Sequence, residues 1–288
     1  MIRRAWDTWV ALWDRREPPT QLALVRILLA SVFLVDYLDV ARDGLVTAIW
    51  TKPPTGFAMG DAWISGPTAH LIGIVALVAI ILGIATRPAC VIFALASAQL
   101  SHLTPNGESG LDDLARITFV ILAFSQCNAR WSIDALIFKS LRKTDVPAWP
   151  RYLLLFQLVW VYFNGGINKS AGAWGPQGGF TALANALSDP HAARFGPGFA
   201  GALYPLTRIA TALTMAFELG APLFLLAYFK EWRARYIWIA LGVGFEVGIA
   251  VGLRLGSFPY GMLALFPVLF YPRDFQARTP ANRASSPS

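Results

Sequence analysis

Long apolar runs limit what this chain can fold into. Eight can be marked, at 20–42, 68–85, 88–104, 111–127, 150–168, 204–229, 234–254 and 257–271. Most have the roughly 17–25 residues that a helix needs to cross a bilayer. Only 14% of the 288 residues are charged and 56% are hydrophobic, whereas a typical soluble domain carries about 25% charged residues. The sequence therefore predicts an all-α integral membrane protein, a single bundle of about eight transmembrane helices. The bundle domain spans 20–275, after an amphipathic interfacial segment at 1–19 and before a disordered Pro-, Ala- and Ser-rich tail at 276–288.

Turn chemistry separates the runs. Pro53, Pro54, Gly56, Gly60, Gly66 and Pro67 fill the loop after the first, Thr86-Arg87-Pro88 divides the second from the third, and TPNGESG ends the third. Pro259 and Pro267 predict a kinked or partly re-entrant last run. At the N-terminus, Trp6, Trp9 and Trp13 recur at helical spacing among charges. Asp7, Asp14 and Arg15 interrupt any signal-peptide core, so the segment reads as a helix lying on the membrane surface.

The formal charge of +7 is a statement about orientation, not about nucleic acid, for which no affinity is expected. Arg3, Arg4, Arg15, Arg16, Arg87, Arg130, Lys139, Arg142, Lys143, Lys230, Arg233, Arg235, Arg273, Arg278 and Arg283 all fall in alternate connections. The opposite loops hold Lys52, Lys169 and Arg194. This bias predicts both termini in the cytoplasm and the 169–203 segment on the outer face of a cell (inner) membrane.

Several chemistries find no support. Cys90 and Cys127 are the only cysteines, and both sit in or beside apolar runs as small hydrophobes. His70, His102 and His191 lack metal-ligand spacing, so no metal site is expected. There is no phosphate loop, dinucleotide fingerprint or nucleophile elbow.

Ionisable residues inside the runs are costly and mark what the bundle encloses. Arg26 and Asp36 lie in the first run, Asp112, Asp113 and Arg116 in the fourth, Arg208 and Glu218 in the sixth, Glu246 and Arg254 in the seventh. Asp112 and Asp113 stand four and three residues before Arg116, so either can pair with it. The residues near the outer side suggest a hydrated cavity. Its centre is the stretch RYLLLFQLVWVYFNGGINKSAGAWGPQGGF, residues 151–180. There Lys169 follows Gly165 and Gly166, which allow another backbone to approach, and Asn164 and Asn168, which can hydrogen-bond a substrate or the lysine. A helix-end lysine either snorkels to the headgroups or, in a drier site, loses proton affinity and acts as a base. Lys169 is the candidate catalytic residue; Asp36, Asp113, Arg116, Asn164, Asn168, Trp174, Glu218 and Glu246 are the candidate wall of the cavity.

The segment QLVWVYFNGGINKSAGAWGPQG resembles the Q-x-x-x-x-Y-F-x-x-G-x-x-K-x-x-x-x-W-x-x-G stretch of the HTTM (horizontally transferred transmembrane) family, to which the vitamin K-dependent gamma-glutamyl carboxylase belongs. Gln157, Tyr162, Phe163, Gly166, Lys169, Trp174 and Gly178 or Gly179 occupy the matching places. LALVRILLASVFLVDYLD is similar to the family's first helix with its arginine. Trp131, Ser132, Ile133 and Asp134 match its Trp-Ser-x-Asp motif, FELGAPLFLL its helix with a Glu before a Pro, and GSFPYGMLALFPVLF its closing helix. About 250 residues are covered. The resemblance implies that Lys169 is a base acting on a reduced quinone. Two histidines of the carboxylase are replaced here, one by Glu246 and one by Leu111 or a neighbour, and the chain ends soon after the eighth run. Peptide carboxylation is therefore not expected.

Three functions remain open on these grounds. The first is an enzyme using Lys169 on a lipophilic, quinol-like substrate. The second is a non-catalytic maturation, export or immunity protein that binds a bacterial peptide or complex beside the lipid bilayer. The third is a transporter, for which no repeat symmetry is visible. Oligomeric state is not legible.

Overall fold

The computed structural model describes residues 2–53, 55–107, 109–169 and 172–275. The tail expected at 276–288 lies outside the described residues. Every apolar run is helical, and most starts carry a local reason. Helix α1 (Ile2–Trp13) precedes a short strand β1 (Arg16–Glu17). Next come α2 (Thr20–Arg42) and a short α3 (Leu45–Trp50). In α4 (Gly66–Leu82) the Ser65 hydroxyl accepts the Thr68 N–H and Pro67 takes the first turn. Gly83, at φ 71°, turns the chain into α5 (Thr86–Leu103). In α6 (Gly110–Phe124) the Asp112 carboxylate accepts from the Ser109 N–H and hydroxyl, both at 2.8 Å. After α7 (Ile133–Ile137), strand β2 (Val146–Pro147) pairs antiparallel with β1 and leads into α8 (Trp149–Asn168).

Two short helices, α9 (Ala182–Ser188) and α10 (Pro197–Ala202), cross the end of the bundle. The sixth run is two helices, α11 (Tyr204–Leu219) and α12 (Ala221–Phe229), bent by 54° at Gly220. Helix α13 (Arg235–Gly252) forms the seventh run, and α14 (Phe258–Leu265) the eighth. Pro267 lies in the 3-10 turn Phe266–Leu269 that continues α14, the irregular ending its prolines predict.

Helix α2 runs through the middle, against α4 and α14; α5 packs between α4 and α6, and α8 packs against α6, α11 and α12. Phe33, Phe93 and Phe119 stack edge-to-face at 5.8 and 4.8 Å and tie α2, α5 and α6 together. Cys90 and Cys127 are buried in this core as free thiols, and His70 is packed between the rings of Tyr37 and Trp50.

One end of the bundle is clasped by buried polar groups. Arg26 donates to the carbonyl oxygens of Cys127, at 3.1 Å, and Trp131. Asp134 accepts from the N–H groups of Ala85 and Thr86 at 2.8 and 2.9 Å, the Thr86 hydroxyl at 2.9 Å and Asn128 at 3.3 Å. The Trp-Ser-Ile-Asp segment thus locks the α4–α5 turn. Arg151 forms a forked, buried ion pair with Glu17 and also donates to the Tyr228 hydroxyl and Val268 O. Within the segment 1–19, expected to lie on the membrane surface, Trp6 and Val10 of α1 are exposed, whereas Glu17 is buried. Glu17 belongs to the bundle.

By length and apolarity alone, α13 qualifies as a membrane crossing, and the bent α11–α12 pair qualifies if taken as one. The other helices fall short for readable reasons. α4 has 17 residues and α6 has 15, and α2 carries Arg26, Asp36, Asp39 and Arg42.

Burial pushes the Asp134 carboxyl up, but the hydrogen bonds from Thr86, Ala85 and Asn128 outweigh it and hold the group below the usual carboxylate range. A depressed folded value stabilises the fold fully above the unfolded pKa of about 3.9 and is lost as pH falls through the lower folded value. Asp134→Asn is expected to lower the thermal midpoint at neutral pH, with the gap to wild type closing in acid. Thermal unfolding across that pH range checks this.

Candidate functional site

Lys169 caps the end of α8, where the helix stops at the end of the bundle opposite the clasp. Its ammonium does not turn outward. It pairs with Glu218 Oε1, from α11, and the two side chains are 22% and 4% exposed. Trp174, from the 3-10 turn Gly172–Trp174, lies 4.8 Å from Lys169 Nζ, and the ring of Phe245, from α13, lies at 5.9 Å. The lysine therefore has a carboxylate on one side and two aromatic faces around it.

The two glycines before it make this possible. A Cβ at Gly166 would meet Glu218 Cβ at 3.0 Å and Leu219 Cδ2 at 3.1 Å. At Gly165 it would lie 3.5 Å from Glu218 Oε1, ordinary contact. Gly166 is thus where α11 rests on α8, the close approach that its position predicts.

Behind the pair lies a second carboxylate. Glu246, on α13, is fully buried, and Tyr162, on α8, donates its hydroxyl to Glu246 Oε1 at 2.5 Å. The Tyr162 ring stands edge-on to Phe217 and Phe245, at 4.7 and 6.2 Å. Glu218 Oε2 and Glu246 Oε2 are buried without a hydrogen-bond partner among the described residues. A buried carboxylate oxygen left open is costly, so these two atoms mark where the bundle holds capacity for a further proton or ligand contact.

Of the residues expected to share one cavity, Lys169, Trp174, Glu218 and Glu246 are brought together. The others stand elsewhere. Asp113 pairs with Arg116 at the start of α6, so the three-residue spacing is used there while Asp112 serves the helix cap. Asp36 lies in α2, between the buried Phe33 and Tyr37 positions of that helix. Asn168 donates to Asn164 O and Oδ1 at 2.8 and 3.2 Å; both are exposed on α8 and turned to each other rather than to the lysine. Arg254 is exposed, while Glu246 faces Tyr162.

Tyr162, Phe217 and Phe245 are the site residues that candidate selection by charge passes over. Tyr162 could have been found by spacing: seven residues before Lys169 is two helical turns, on the same face.

Fold and site together define an all-helical protein with a lysine–glutamate pair set among aromatic rings at one end of its bundle. The chain belongs to the HTTM domain family, whose profile matches residues 14–274. At the level of that family it is a membrane protein related to the carboxylase. No solved structure matches the chain.

Gly165→Ala, inside α8 and in ordinary contact only, is expected to be neutral or to stabilise by up to about 1 kcal/mol, whereas Gly166→Val, which overpacks the α8–α11 contact, costs about 1–3 kcal/mol. Lys169→Ala strands the Glu218 carboxylate, so it should be less stable than the double variant Lys169→Ala/Glu218→Gln. Parallel thermal denaturation of the four variants checks both orderings.

Proposed function

We propose that this protein is a membrane enzyme that uses Lys169, acting with Glu218, as the base toward a lipophilic, quinol-like substrate. The observation that carries the reading is the pair itself. An ammonium and a carboxylate share the site, and Glu218 Oε2 has no hydrogen-bond partner among the described residues. Between them the two groups can accept one more proton. With the Lys169 proton passed to Glu218, the free amine takes the proton of a quinol hydroxyl and leaves a quinolate beside a lysine cation and a neutral Glu218. Trp174 and Phe245 offer ring faces to a planar head group. Glu246 and Tyr162 form the polar floor.

The membrane reading goes further than the family alone. In this reading all eight helical segments, α2, α4, α5, α6, α8, α11–α12, α13 and α14, cross or enter the bilayer. Their outward residues support it: Val35, Leu71, Val75, Ile117, Trp160 and Ile209 are all exposed, more apolar surface than a water-facing bundle tolerates. The basic residues of the connections favour both termini on the cytoplasmic side of a cell (inner) membrane. Lys169 faces the outer side, and α1 lies on the cytoplasmic leaflet.

Dioxygen then takes two electrons from the quinolate and, with the released protons, becomes hydrogen peroxide while the quinol becomes the quinone; the test is oxygen uptake by the protein in liposomes supplied with a long-chain hydroquinone. Lys169→Ala and the folded double variant Lys169→Ala/Glu218→Gln are each expected to lose about 100-fold or more of the rate. Full uptake by the double variant would overturn the assignment.

A further inference from the structure

A cleft of 710 Å³ opens along the bundle between α11 and α13 and under α9 and α10. Its volume is in the range of about 300–1,000 Å³ usual for ligand sites. On α13 its lining extends from Ile237 to Gly252, about 22 Å of helix axis. The walls are hydrocarbon: Leu206, Leu213 and Phe217 from α11 face Leu241, Phe245 and Ile249 from α13. Only the hydroxyls of Thr207 and Thr214 interrupt them, and Thr207 gives its proton to Tyr204 O at 2.7 Å. Gly244 and Gly248 form part of the lining, and a Cβ at either would meet no protein atom within 4 Å. Glycine at both positions leaves the cleft open where a side chain would narrow it.

The cleft adjoins the polar site across two aromatic rings. Phe217 and Phe245 line it and also pack against Tyr162, and Phe245 faces Lys169. Glu218 directly follows Phe217, and Glu246 directly follows Phe245. A ligand part lying in the cleft meets almost only hydrocarbon, so an apolar chain fits it best and a polar one would lose its hydrogen bonds. A polar head attached to it would meet the Lys169–Glu218 pair beside Phe245, midway along the α13 wall.

We infer that the α11–α13 cleft holds the single hydrocarbon chain of a membrane amphiphile whose head meets Lys169 and Glu218. The open side of the cleft admits that chain sideways from the bilayer. This rests on the proposed action of Lys169 and adds that the substrate is selected by its chain.

The test uses the full chain in detergent and two probes, a bare methylated benzohydroquinone and its decyl-substituted derivative. Affinities are read by native mass spectrometry. Wild type is expected to bind the decyl probe at least about tenfold more tightly than the bare one. Gly248→Leu should erase that preference and leave the bare probe's affinity unchanged, because its side chain fills the cleft and not the polar site. Gly244→Leu provides a second plug should the first unfold, with thermal unfolding as the check. Comparison with wild type in the same micelles removes detergent partitioning. The double variant Lys169→Ala/Glu218→Gln should weaken both probes alike. A chain preference that survives both plugs overturns the cleft assignment while leaving the role of Lys169 standing. A preference lost on plugging, with the double variant binding both probes as wild type does, upholds the cleft and overturns the reading at Lys169. No binding of either probe to wild type overturns both.

Discussion

The contact of α11 with α8 at Gly166 governs the chemistry this molecule can hold. A lysine at the end of an apolar helix ordinarily extends toward water or headgroups. Here the missing side chain at Gly166 lets α11 come close enough for Glu218 to reach back across the contact. The amine is kept within the bundle because its countercharge is already there. Trp174, in the 3-10 turn that follows, then lies over an ammonium whose position is fixed.

The two ends of the bundle use buried polarity differently. At the clasped end, Glu17 gives both its oxygens to Arg151, and Asp134 is met by four donors. Those groups fix the connections between helices and leave no carboxylate oxygen open. At the other end, Glu218 and Glu246 each keep one oxygen without a partner among the described residues. Satisfied carboxylates hold a fold together; carboxylates with spare capacity suit a site that moves protons. The Trp-Ser-Ile-Asp segment, as much a mark of the family resemblance as the lysine stretch, belongs to the first kind.

Much of the helical layout was legible in the sequence because apolar runs and the prolines and glycines between them are local signals. The runs marked at 20–42, 150–168 and 257–271 became α2, α8 and α14 with its 3-10 extension. The break inside 204–229 was less legible: Gly220 sits in an otherwise continuous apolar stretch, and the 54° bend arises where α11 gives way to α12. The role of Glu17 was hidden as well. Its partner Arg151 is 134 residues away, and no local pattern links them.

The sequence alone determined that the chain is helical and apolar, that it belongs with a family built around this lysine stretch, and that Gly165 and Gly166 leave room beside it. It could not choose partners. Asp112 or Asp113 for Arg116, and a substrate or the lysine for Asn164 and Asn168, were left open, and nothing local pointed Glu246 to Tyr162. Tertiary packing made those choices, because a buried charge takes the partner that the crossing of two helices brings within reach, and that crossing is set by residues far apart in the chain.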